Sequence, residues 1–239
     1  MPTFLTPDET RLAAAIGFEP AALRLVKAAG DAVFPLEPLA GHPYREGVGE
    51  APAAGAFSVA VPREQSEPLL AVLRAALVPR GYLPFLAEMT FDFEQKPDRI
   101  AVLRTDDPLA PLRFCGTSAG NFDLSPDDIL ARFRDWQRRF SFAILGAERD
   151  TVLVEFHTLP DDPDAFVREL YQFCPDLLDQ GIACLIEDGL EYLPPDQRIE
   201  IRRRLDADTG GEEGRVERVA LAILAEDLRE RRRISLWWD

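Results

Sequence analysis

The residue types best suited to chemistry lie in the stretch Phe173–Gly181, FCPDLLDQG. It sets the thiol of Cys174 beside Pro175 and Asp176, then places Asp179 and Gln180 before Gly181. A nucleophilic cysteine needs a base, most often histidine, and a lowered pKa, often from a helix N-terminus. The chain has two histidines. His42 lies in a run rich in Pro and Gly. His157 lies on an expected strand leading into the helix that carries Cys174, so that pairing is geometrically open. Two considerations oppose it. Cys174 is expected at the C-terminal end of its helix, where the dipole disfavours a thiolate. Cysteine is also among the most often buried residue types. The structural reading is therefore preferred, with Pro175 stopping the helix and Asp176 capping the next turn through its side chain. Asp179-Gln180-Gly181 then form a second turn, whose side chains bind main chain near the last strand.

Other chemistries have weaker support. The soft donors are Cys115, Cys174, Cys184, His42 and His157, and none forms a close Cys-x-x-Cys or His-x-x-x-His pair. Asp-Asp pairs begin at 106, 127 and 161, but none fits a twelve-residue calcium loop, and two sit at expected helix starts. The run GTSAGN, residues 116–121, lacks a phosphate-binding glycine pattern and reads as a turn in which Ser118 and Asn121 satisfy backbone groups. There is no Gly-x-Ser-x-Gly elbow. No catalytic residue, metal or cofactor is assigned. Trp237 and Trp238 should point to opposite faces of a strand, one into the core and one toward a helix or groove. Asp239 adds a carboxylate that the arginines of 229–233 can meet.

The composition narrows the class. The 239 residues are 46% hydrophobic, enough for one large core or two small ones. Lys and Arg number 27 against 42 Asp and Glu, a net charge of -15. Such a field opposes nucleic acid and anionic membrane surfaces, and it steers toward a basic protein partner. The N-terminal stretch carries acids without a basic flank, so no signal peptide is read there. No run of about 18 apolar residues suggests a membrane span. Three cysteines in a chain of this size suit a reducing cytoplasm.

The elements that must position these residues follow from period and punctuation. Residues 1–56 read as short helices followed by a Pro/Gly-rich arm, with Gly30 stopping the second helix. From residue 57 the order is β-α-β-β. AFSVAV is a strand. SEPLLAVLRAALVPRG is a helix with Pro68 in its first turn, Leu69, Val72, Leu73, Ala76 and Leu77 on its buried face, and Gly81 at its end. YLPFLAEMTF and DRIAVLRT are strands around a turn at 95–98. Then comes α-β-β-α. SPDDILARFRDWQRRF carries Ser125 as N-cap, Pro126 at N1 and a stripe of Ile129, Phe133, Trp136 and Phe140. SFAILGA and TVLVEFHT are strands, and DPDAFVRELYQFC is a helix. A helical insertion at about 190–232 has two helices, the second burying Val216, Val219, Ile223 and Leu224. A closing strand, RISLWW, ends the order. The expected class is α+β, a mostly antiparallel sheet covered by helices, with residues 57–239 as one domain.

Several of these strings together resemble the bacterial family called domain of unknown function 4253. They are Thr117-x-x-x-Asn121 before an Asp-rich helix start, Cys174-Pro175-Asp176, Asp179-Gln180-Gly181, and Trp237-Trp238-Asp239. The resemblance spans about 57–239 and departs at the insertion, which the family usually replaces with a short connection. It implies the fold boundaries and the motif, and it brings no activity. The expectation for function is a non-catalytic, acidic, cytoplasmic interaction protein, such as an inhibitor or immunity-type partner of a basic toxin or protease. The alternative is an enzyme or small-ligand sensor built on Cys174, Asp176, Asp179, Gln180 and Trp238.

Overall fold

A computed structural model describes residues 4–29, 37–39, 41, 55–89 and 96–239. The chain is α+β, and its strand pairings are mostly antiparallel. Most of the Pro/Gly-rich arm, His42 and Gly30 lie outside the described residues. By its contacts the chain divides into two compact units, 1–133 with 144–152, and 134–143 with 153–239.

The first unit opens with α1 (Pro7–Ile16) and α2 (Pro20–Ala29). A capping box starts α1: the Thr6 hydroxyl accepts from Glu9 N, and the Glu9 carboxylate accepts from Thr6 N at 2.7 Å. The same carboxylate pairs with the Lys27 ammonium at 2.6 Å and ties α1 to α2. The strands here are β1 (Glu37–Leu39), β2 (Ala56–Val61), β3 (Tyr82–Glu88), β4 (Asp98–Arg104) and β5 (Phe142–Ala147), in the order β1-β2-β4-β3-β5. The first three pairings are antiparallel. The last is parallel, with Leu86 opposite Gly146.

Helix α3 (Arg63–Leu77) covers β3 and β4 and differs from the sequence reading in two ways. It begins at Arg63, so Pro68 stands inside it rather than in its first turn. The buried face is Ser66, Leu69, Leu70, Leu73 and Leu77, while Val72 is 60% exposed. Leu70 and Val72 flank the same stripe on opposite sides, and the sheet takes the Leu70 side. Gly81 ends the turn after α3 at φ 77°, where a side chain would be strained. Helix α4 (Ala110–Cys115), which the sequence did not suggest, follows β4 and ends at Gly116.

Helix α5 (Pro126–Arg139), β5 and β6 (Thr151–Phe156) each pass from one unit into the other. All four residues of the α5 stripe are buried. The core of the second unit is aromatic. Trp136 meets Phe166 and Phe173 edge-on at 5.5 and 5.4 Å, and Phe140 meets Phe156 and Phe166. Such pairs add about 0.5–1.5 kcal/mol each beyond area burial. The indole N–H of Trp136 is satisfied by Glu169 at 2.8 Å, and Glu169 also pairs with Arg139.

The second unit continues through α6 (Pro163–Phe173), α7 (Ala183–Asp188), α8 (Pro195–Ala207), α9 (Arg215–Arg231) and β7 (Arg233–Trp237), which lies beside β6. Asp162 caps α6 by accepting from Ala165 N at 2.9 Å. Helix α9 buries Val219, Ala220, Leu224, Ala225 and Leu228, whereas Val216 and Ile223 are only half-buried. Helix α8 buries no residue. It is held to α9 by Arg204–Glu226 at 2.8 Å, and Asp208 just beyond its end pairs with Arg218 at 2.6 Å. Among the described residues, no helix is long and apolar enough to cross a membrane.

Candidate functional site

The family fingerprint folds into one corner of the second unit. Helix α6 runs out at Phe173 because Pro175 lacks the N–H that another turn needs. Cys174 takes the C-cap position, and its N–H still reaches Leu170 O at 2.7 Å. One π-helical turn, Leu177–Ile182, then carries the chain into α7, with Gly181 out of helical geometry at φ -100°, ψ -110°. The two turns expected after Pro175 are thus a π turn, a wide i→i+5 coil that often marks specialised positions.

Three hydrogen bonds join this turn to the end of β7. The Cys174 thiol donates to Trp237 O at 2.9 Å. The Trp238 indole N–H donates to Phe173 O at 3.0 Å. The backbone N–H of Asp239 donates to Asp176 Oδ2 at 2.8 Å, while Asp176 Oδ1 accepts from Gln180 Nε2 at 2.9 Å. Trp238 stacks edge-on against Phe173 at 5.4 Å, extending the aromatic core to the end of the strand. Trp238 is the buried tryptophan of the pair, and Trp237 is half-buried.

Two sequence expectations change here. Asp176 makes no side-chain cap for the next turn; its carboxylate instead bridges Gln180 and the Asp239 main chain. The residue that holds the last strand is therefore Asp176, and Asp179 accepts from the Tyr171 hydroxyl at 3.0 Å on the exposed rim. The physical reason is spacing. Positions 176 and 180 are i and i+4, one helical turn apart, so the amide of Gln180 reaches back and orients the Asp176 carboxylate toward β7. Nor do the arginines near 231 converge on Asp239. Arg229 pairs with Asp164, Arg231 with Asp227 and Arg233 with Glu155.

Cys174 is fully buried. Loss of solvent around the thiol, opposed by hydrogen bonds with Trp237 and Leu177, pushes its pKa up to about 11. His157, the one base available to it in the sequence, is exposed just beyond β6, and its carbonyl accepts from Arg232. The second buried thiol, Cys115, donates to Ala147 O at 3.0 Å and is raised to about 12 by burial. Among the described residues no cluster of His, Cys, Asp and Glu has the arrangement a metal ion needs. The Asp-Asp pair at 106 has a local use: Asp107 accepts from Leu109 N and pairs with Arg113.

Thr117 and Asn121 belong to the first unit. Thr117 is buried, and its hydroxyl donates to Glu148 O at 2.6 Å. With Cys115 to Ala147 O, and Ser118 N to Arg149 O at 2.8 Å, it forms a ladder along the β5–β6 turn. The turn at 116–121 is satisfied by main chain, since Ala119 and Leu124 bond each other, rather than by the Ser118 and Asn121 side chains. Asn121 is exposed. The ladder rests on residues 31 or 32 positions apart, which no local sequence signal reveals.

These features define a class of α+β protein whose closing strand is latched by a Cys-Pro-Asp turn at the end of a helix. The chain belongs to the family described as Domain of unknown function (DUF4253), whose sequence model matches residues 99–239. No curated protein and no solved structure matches the chain.

Proposed function

We propose that the protein is a non-catalytic, acidic interaction protein of the cytoplasm, an inhibitor or immunity-type partner of a basic protein such as a toxin or protease. The observation that carries this reading is the commitment of the Cys174, Asp176 and Trp238 side chains of the corner to other parts of the same chain. The Cys174 thiol is given to a carbonyl, both Asp176 oxygens are taken, and the Trp238 indole is bonded. A nucleophile must be available as thiolate near neutral pH. A thiol with no exposed surface and a pKa near 11 is poorly suited to that, which weighs against an enzyme built on Cys174. A ligand sensor would need convergent polar groups with spare hydrogen bonds, and the same commitments weigh against it. The charge of -15 supports a basic partner through steering and complementarity.

The test is affinity capture from the native host across a salt series. The expected result is one stoichiometric partner of high isoelectric point, released as salt rises. Capture of no stoichiometric partner, or of one whose binding ignores salt, would overturn the reading. Cys174→Ala should retain the partner, because the thiol acts in packing; an abolished interaction in a folded variant would instead return the corner to functional status.

A further inference from the structure

We propose that the stretch from α7 to α8 is the self-complementary face of a twofold dimer, a property separate from the binding of any basic partner. The segment stands out by what it leaves uncovered. Tyr192 is 82% exposed and Ile199 is 68% exposed, and both are large apolar side chains. Helix α8 buries nothing, though most helices in proteins are stabilised by packing one face. Arg204, on its inner side, reaches α9. Ile199, Arg202 and Arg203 lie at i, i+3 and i+4, which is one face of the helix, and none of them reaches α9 through a bond described above.

The order of charge along the segment identifies the occupant. Glu187, Asp188, Glu191 and Asp196 come first, with no cation among them, and Arg198, Arg202 and Arg203 follow, with Glu200 between them paired to Arg203 and Arg204. Tyr192 and Ile199 fall around the point where the sign changes. Glu187, Asp188, Glu191 and Arg202 are exposed and have no ion-pair partner among the described residues. A basic partner would satisfy the acidic half and confront the arginines with like charge; an acidic partner would do the reverse. A partner with both signs in inverted order satisfies both halves. A second copy turned about a twofold axis presents that order by symmetry, since in such an interface residue i meets j and j meets i. Tyr192 and Ile199 would then bury one another near the axis, where interface anchors concentrate. The overall charge of -15 on each copy opposes approach, but this field is screened beyond about 8 Å at physiological ionic strength, while contact pairs are screened far less.

The test is a charge-swap pair followed by sedimentation velocity of the full chain at physiological salt. One variant, Arg202→Glu with Arg203→Glu, leaves Arg198 and Arg204 against three acids and turns the second half net negative. The other, Glu187→Arg with Asp188→Arg and Glu191→Arg, leaves only Asp196 acidic and turns the first half net positive. All five positions are exposed, and circular dichroism checks that each variant folds. The expected result is a concentration-dependent dimer for the parent chain in the micromolar range, monomers for each variant alone, and a dimer again when the two variants are mixed. Tyr192→Ala should weaken the parent dimer at least tenfold. A parent chain that stays monomeric throughout that range overturns the proposal. So does a dimer that survives both swaps, and so does a mixture that fails to associate.

Discussion

Three cysteines of one chain occupy different environments, and thiol chemistry should resolve them. Cys184 is exposed, while Cys115 and Cys174 are buried and each donates to a carbonyl. A thiol reagent at neutral pH is therefore expected to label one cysteine in the native protein and three after denaturation; labelling of Cys174 in the native state would refute its commitment to the β7 carbonyl. Alkaline stability follows from the same burial. Both folded thiols titrate above their ordinary value, Cys174 at about 11 and Cys115 at about 12. A group whose folded pKa is raised contributes stability fully present below its unfolded pKa and lost as pH rises toward the folded one. Stability should thus fall from about pH 9 upward, with the Cys174 share on the order of 2 kcal/mol by pH 11. Cys174→Ala should flatten that fall in chemical unfolding at pH 7 to 11, while costing about 1–2 kcal/mol at pH 7 through a small cavity and an orphaned carbonyl. At this scale the sequence was legible for the place of Cys174, buried at the C-terminal end of α6, because cysteine favours burial and Pro175 stops the helix. The role of Asp176 was not legible, since its partner Asp239 lies 63 positions away.

Elements with explicit punctuation were the easiest to read. Helix α5 runs Pro126–Arg139 as its Ser-Pro-Asp-Asp start and its 4, 3, 4 apolar spacing require, and α6 starts where Asp162-Pro163 places it. Helix α4 escaped notice because six residues with a proline at their start carry no period. The start of α3 was misplaced because Pro68 is a good N1 residue; the helix tolerates it internally from Arg63 onward, where tertiary packing outweighs the local preference. The latch between α6 and β7 should be the most sensitive joint. Asp176→Asn keeps one acceptor but turns an N–H₂ toward a donor, either Gln180 Nε2 or Asp239 N, so a loss of about 1–3 kcal/mol is expected in denaturant melts. Asp162→Ala, which removes only a cap, should cost about 1 kcal/mol. If the cap variant proves the more damaging of the two, Asp176 does not hold the strand. Helix α8, with no buried residue, should exchange its amide hydrogens far faster than α9, which buries five. Equal protection of the two helices in the isolated protein would show that α8 is already covered, as the proposed dimer would also make it at high concentration.

At the scale of the whole molecule, contacts divide the chain at Phe133/Arg134, Ala143/Ile144 and Val152/Leu153. None of those points is a linker. They fall inside α5, β5 and β6, three elements with continuous backbone ladders. A periodicity reading cannot find such a division, because each element is locally uniform across it. The consequence for unfolding is measurable. The three tryptophans, Trp136, Trp237 and Trp238, all belong to the second unit, so indole fluorescence reports on that unit alone. Far-UV ellipticity reports on helices of both units. Melting one unit by itself would require breaking α5 and both strands of the hairpin midway, leaving half-ladders with unsatisfied backbone groups. The two signals should therefore trace one transition in urea, with the same midpoint and slope. Fluorescence that falls well before ellipticity would mean that the aromatic core of the second unit melts on its own. In that case Trp238→Ala, expected to cost about 3–5 kcal/mol, should shift only the fluorescence transition. With one cooperative transition the same substitution must shift both signals equally, because the edge-on contact of Trp238 with Phe173 then stabilises the entire chain.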